Sequence, residues 1–87
     1  MPEDRAILTI VVNGQPTEVA LNVEEPLFAA IPKALEQTKN TGQPPSNWEL
    51  RDTAGALLDS QKRVSAFHFA VGTTLFLNLK AGIGGWV

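Results

Sequence analysis

The chain contains no cysteine and only one histidine, His68. Without cysteine there is no disulfide, no thiolate metal site and no cysteine nucleophile. A lone histidine excludes a multi-histidine metal centre. No basic run is present and the net charge is −2, so nucleic acid is not an expected partner. Long hydrophobic runs are absent as well. The apolar stretch after the N-terminus is far too short to span a bilayer, and membrane is not an expected partner. Met1-Pro2-Glu3-Asp4-Arg5 is acidic where a signal peptide would be basic, so the expected location is the cytoplasm. With 87 residues the expectation is one domain. Such a domain buries only about 60–65% of the surface of its unfolded chain, and its stability is a few kcal/mol up to roughly 13.

What is present is mostly strand pattern. Leu8, Ile10 and Val12 recur at period two in a β-branched stretch from Ala6 to Val12, which predicts a strand with one buried face. Asn13-Gly14 then signals a type I′ hairpin, with Gln15 and Pro16 expected to lengthen the loop. Thr17 to Val23 alternates again, with Val19, Leu21 and Val23 on one face.

The period then changes. Glu24-Glu25-Pro26 reads as a helix start, with acids near the positive end of the dipole. Leu27, Ile31, Leu35 and Thr38 form a stripe with Ala30 and Ala34 beside it. Phe28 falls beside that stripe, as core edge or exposed contact. Pro32 predicts a kink or a later true start. Lys33 and Lys39 lie toward the negative end, and Asn40-Thr41-Gly42 is the expected stop.

Gln43-Pro44-Pro45-Ser46 is a rigid connection to a short strand, Trp48 to Arg51, with Trp48 half-buried and Leu50 inward. Ala54-Gly55 marks a turn and Ala56-Leu57-Leu58 a brief strand. Val64 to Phe67 suits one helical turn. His68, between Phe67 and Phe69, has no partner that the sequence places beside it and reads as a surface or loop residue. Gly72-Thr73 turns into a last strand, Thr74 to Leu79. The class is α+β: a ββαββ order giving a mixed sheet packed on one helix. The expected core is Leu8, Ile10, Val19, Leu21, Leu35, Leu50, Leu75 and Leu77.

Beyond the last strand comes Gly84-Gly85, then Trp86-Val87. Glycine has no Cβ, so a diglycine tail can thread a narrow channel and present a carboxyl group to a nucleotide or a cysteine. The organisation is therefore a domain over residues 1–80 and a tail over 81–87.

This order resembles the ubiquitin β-grasp family over nearly the whole chain. Gly42-Gln43-Pro44-Pro45 is similar to ubiquitin's Gly-Ile-Pro-Pro after its helix. Ala54-Gly55 with Leu58 is similar to its Ala-Gly turn and following leucine. Thr74-Leu75-Phe76-Leu77-Asn78-Leu79-Lys80 resembles Thr-Leu-His-Leu-Val-Leu-Arg, and Gly84-Gly85 matches the terminal diglycine. From Ala54 to Lys80 the two run without a gap.

The departures are local. The tail is one residue longer, and Trp86-Val87 lies beyond the diglycine as in precursors that are trimmed. Arg51 or Asp52 stands where ubiquitin has its exposed isoleucine, Asn78 where it has the patch valine, and Ala56 where it has its most-used chain-forming lysine. A charge there must be desolvated on docking against an apolar partner, without a counter-ion waiting. The pattern resembles bacterial ubiquitin-like modifiers encoded beside an activating enzyme, a conjugating enzyme and a JAB-type metalloprotease, some of which serve antiviral defence.

That resemblance implies a modifier and not an enzyme, with no catalytic residue, metal or cofactor of its own. The activating enzyme uses Mg-ATP on the Gly85 carboxylate, and the acyl group passes through the conjugating enzyme to target proteins. It implies that Gly84 and Gly85 are the conjugation residues and that Trp86 and Val87 are cleaved. Lys80, Phe76, Arg51 and Asn78 are the implied recognition residues. Two other readings stand beside it: a sulfur-carrier protein for cofactor biosynthesis, and a noncovalent β-grasp binding module. Sulfur carriers usually end at the diglycine and lack the Pro-Pro connection.

Overall fold

A computed structural model describes residues 5–80 of the chain. The expected conjugation residues Gly84 and Gly85 and the expected cleaved residues Trp86 and Val87 lie outside the described residues.

Strand β1 (Arg5–Val12) and strand β2 (Gln15–Asn22) form an antiparallel hairpin that pairs Val12 with Gln15. Only Asn13 and Gly14 remain in the loop. Both have positive φ, 52° and 81°, as a type I′ turn requires. Gln15 and Pro16 therefore do not lengthen the loop. They start β2, and Pro16 is tolerated because its missing N–H falls on the outer edge of the sheet.

The expected helix begins later than Glu24-Glu25-Pro26. A 3-10 turn covers Leu27–Ala29, and helix α1 runs Ala30–Gln37. Pro32 then sits in the first turn of α1, where backbone N–H groups have no intrahelical partner anyway, so it needs no kink. No acid lies in that first turn. The Glu25 carboxylate instead accepts the Asn22 N–H at 2.9 Å. Helix α1 stops before Asn40-Thr41-Gly42. Lys39 takes the left-handed conformation (φ 61°). The Asn40 N–H bonds Leu35 O at 2.8 Å and the Lys39 N–H bonds Glu36 O at 3.2 Å, the paired bonds of a Schellman stop. Thr38 closes the stripe by donating its hydroxyl to Ala34 O at 2.8 Å.

Strand β3 (Trp48–Arg51) follows the Pro-Pro connection, and strand β4 (Thr74–Leu79) closes the sheet. The order across the sheet is β2-β1-β4-β3, with β1 and β4 parallel and the outer pairs antiparallel. The brief strand expected at Ala56-Leu57-Leu58 is a single bridge, Arg51 to Leu57. Gly55 takes the left-handed conformation in the turn between them, at φ 84°. A 3-10 turn, Val64–Phe67, precedes β4. His68 caps it in the left-handed conformation and is exposed, while the rings of Phe67 and Phe69 stack at 5.0 Å.

All eight expected core residues are buried between the sheet and α1, joined by Val12, Leu27, Ile31, Trp48 and Val64. Trp48 is more deeply set than the half-burial its size suggested, at 5% exposure. Its Nε1 is buried without a hydrogen-bond partner. Phe28 is half-buried at the edge of this core.

Candidate functional site

Because side chains alternate across a strand, every strand that buries one set of residues in the core presents the other on the open face of the sheet. On β4 the outward residues are Thr74, Phe76 and Asn78. On β3 they are Glu49 and Arg51, and on β1 they include Ile7, Thr9 and Val11. The register then sets one row straight across the sheet. Pro16 pairs with Val11, Val11 with Phe76, Phe76 with Arg51, and Arg51 bridges to Leu57. Phe76 is 36% exposed and Leu57 59%. The row is thus a narrow apolar band interrupted by one arginine.

That arginine does not stand alone. Arg51 Nη2 lies 3.0 Å from Glu49 Oε2 and its Nε donates to the same oxygen at 3.1 Å. Its Nη1 donates to Gly55 O at 2.8 Å. The charge at Arg51 is thus paired within the chain before any partner arrives. Glu49 lies two residues back on the same face of β3, close enough to take two donors from one guanidinium. The pair is partly exposed, so its contribution to stability is about 1 kcal/mol or less. Its larger effect is geometric, because Gly55 and hence the turn carrying Leu57 are tied to β3.

Arg51 and Asp52 are placed differently by the same geometry. Arg51 is the cross-strand partner of Phe76. Asp52 faces its own turn, where Oδ1 accepts the N–H groups of Ala54 at 2.9 Å and Ala56 at 3.0 Å. Asn78 lies opposite Glu49 in the adjacent row and is exposed. Phe76, Arg51 and Asn78 are thus brought onto one surface.

Lys80 sits just past β4, with its N–H bonded to Asn47 O at 2.9 Å. It lines a cleft of about 470 Å³ together with Phe28, Trp48, Leu58 and Gln61. It is exposed and marks the point where the chain leaves the sheet toward Gly84-Gly85.

Val11, Pro16 and Glu49 are not among the implied recognition residues. Val11 was legible as the out-of-phase apolar residue of β1, and Glu49 as an opposite charge two residues from Arg51 in a strand. Among the described residues no group of three or more His, Cys, Asp or Glu could hold a metal ion. No helix there is long and apolar enough to cross a membrane.

The backbone is similar to that of a designed protein based on ubiquitin, with a TM-score of 0.73 and 20% identity over 97% of this chain and 98% of that one. It is similar also to the ubiquitin of Caldiarchaeum subterraneum, with a TM-score of 0.70 and 20% identity over 92% and 99%. At these identities the likeness speaks for the fold alone, which is a ubiquitin-like β-grasp. In sequence the chain is 53% identical over 78 residues to the uncharacterized protein y4jI of Sinorhizobium fredii, covering 90% of this chain. It spans 60% of the length of that relative. Residues 2–85 match one family throughout, and the chain belongs to that family, described as "Protein of Unknown function (DUF2604)".

Proposed function

We propose that this chain is a protein modifier, conjugated to target proteins through the carboxyl group of Gly85 after Trp86-Val87 is removed. The observation that carries the reading is positional. A ubiquitin-like fold ends its sheet on β4, and the sequence running on from that strand through Lys80 arrives at Gly84-Gly85.

In this reading a JAB-type metalloprotease hydrolyses the peptide bond between Gly85 and Trp86. The freed carboxylate attacks the α-phosphate of Mg-ATP on an activating enzyme and displaces pyrophosphate. An enzyme thiolate then displaces AMP to form a thioester. The acyl group moves to the thiol of a conjugating enzyme, and finally to a nucleophile on the target, which releases that thiol. The chain supplies a carboxyl group and a recognition surface. It is a substrate of enzymes and not an enzyme, and it holds no cofactor of its own. The setting is a cytoplasmic bacterial conjugation system, of the kind that serves antiviral defence.

Recognition falls to the open face. The Val11–Phe76–Leu57 band, the Arg51–Glu49 pair, Asn78 and Lys80 make a surface chemically different from a purely apolar patch. The same band supports a second reading, a noncovalent binding module, since it needs no tail to dock a partner. A sulfur carrier is less favoured by Pro44-Pro45 and by the residues beyond the diglycine.

The deciding experiment is intact mass spectrometry of the full chain, incubated with a JAB-type protease and an activating enzyme from its own source plus Mg-ATP. Loss of Trp86-Val87 followed by an acyl-adenylate or thioester adduct supports the modifier. A full-length chain that persists without any adduct supports the binding module.

A further inference from the structure

We propose that the outer edge of β2 is held closed against strand addition by Lys33, Pro16 and Glu25, and that this closure keeps two copies of the chain from pairing through it. β2 ends the sheet order β2-β1-β4-β3 and runs for eight residues. A long edge strand presents a row of unpaired N–H and C=O groups and is a template for another strand.

The register tells which groups those are. Val12 and Gln15 flank a two-residue loop and are therefore a hydrogen-bonded pair. Bonded and non-bonded pairs alternate from there. Pro16, Glu18, Ala20 and Asn22 accordingly turn their backbone groups outward, away from β1.

Three of those seven groups are already used, and an eighth is missing at Pro16. Pro16 has no N–H to offer. The Nζ of Lys33, reaching over from α1, donates to Ala20 O at 3.1 Å. The Asn22 N–H donates to Glu25 Oε1 at 2.9 Å, and Asn22 O accepts the Glu25 N–H at 3.0 Å. What is left is Pro16 C=O, both backbone groups of Glu18, and the Ala20 N–H. A pairing of two β2 strands centred on Glu18 would also set two carboxylates directly opposite each other, which is destabilising. The other edge is covered differently. The Leu58 N–H bonds Leu50 O at 2.9 Å and the Asp52 N–H bonds Ala56 O at 3.0 Å, so the 52–58 turn shields β3.

Lys33 is the removable element of this closure. It is exposed on α1, and methionine has nearly the same helix propensity. The test compares the full chain, Lys33→Arg, Lys33→Met, and Lys33→Met combined with Pro16→Val, by sedimentation equilibrium and by amide NMR. The full chain and Lys33→Arg should be monomeric. Lys33→Met should self-associate, and the double variant more strongly still, by about tenfold or more in dissociation constant. Amide shifts on association should centre on Glu18 and Ala20, joined by residue 16 in the double variant. The inference is overturned if Lys33→Met keeps the native amide spectrum and stays monomeric at the same concentrations. It is overturned equally if the unaltered chain already pairs through β2. Should the double variant fail to fold, Lys33→Met alone decides.

Discussion

Arg51 stands directly opposite Phe76 across the β3–β4 ladder, and its guanidinium is already bound by Glu49 and by the Gly55 carbonyl. An apolar partner meeting this face would have to desolvate a satisfied ion pair beside an aromatic ring. Nothing in such a partner would replace the water lost from the carboxylate and the guanidinium.

The first prediction concerns that face. A generic ubiquitin-binding domain, titrated against the labelled protein and followed by NMR, should give no saturable shifts at micromolar concentrations. Uncompensated burial of the polar groups costs more than the small area of Phe76 and Leu57 returns. Arg51→Leu combined with Glu49→Ala and Asn78→Val should gain binding. Saturable micromolar shifts centred on Arg51 and Asn78 in the unaltered protein would sink the argument.

A second prediction tests the tail. Gly85→Ala should leave the melting temperature within about one degree, since the core is built from residues up to Leu77 and substitutions away from a core typically change stability by under about 0.5 kcal/mol. It should strongly slow adenylation by the activating enzyme, because a Cβ must enter a channel shaped for glycine. Normal adenylation of the variant would remove Gly85 from its proposed role.

Leu75 is fully buried in the middle of the core, on the strand that joins β1 to β3. Leu75→Ala should therefore cost roughly 2–5 kcal/mol, by lost transfer energy plus a residual cavity. For a domain with a few kcal/mol to about 13 in total, that is a large share. A urea titration showing a loss below about 1 kcal/mol would contradict the central place of β4.

The hairpin turn offers a contrast between two glycines. Gly14 has φ 81° and Gly42 does not lie in that region, while an added Cβ meets nothing within 4 Å at either position. Gly14→Ala should cost about 1–2 kcal/mol from backbone strain alone. Gly42→Ala should be neutral or stabilising by up to about 1 kcal/mol, through lost freedom of the unfolded chain. Equal effects in thermal denaturation would mean that the turn is not type I′.

Much of the architecture was legible without coordinates, because period-two and period-four patterns report which face of an element meets the core. The alternation at Leu8, Ile10 and Val12, the stripe at Leu27, Ile31 and Leu35, and the last strand are all local properties of adjacent residues. Local chemistry alone misplaced the element ends. Asn13-Gly14 accounted for the turn, but that Pro16 could join β2 depended on which side of the strand was an edge. Glu25 looked like an acid for the helix dipole, yet the nearer Asn22 N–H took it.

The surface was decided by tertiary structure in the same way. The sequence itself held Phe76, Arg51 and Asn78 as departures from a familiar pattern, and the diglycine as a chemical end. That Arg51 and not Asp52 faces Phe76, and that Val11 lies on Phe76's other side, depend on strand register. So does the run of groups on β2 that Lys33 and Glu25 cover. Register is set by how the hydrophobic faces of four separate strands fit over one helix, and no single stretch of residues carries that information.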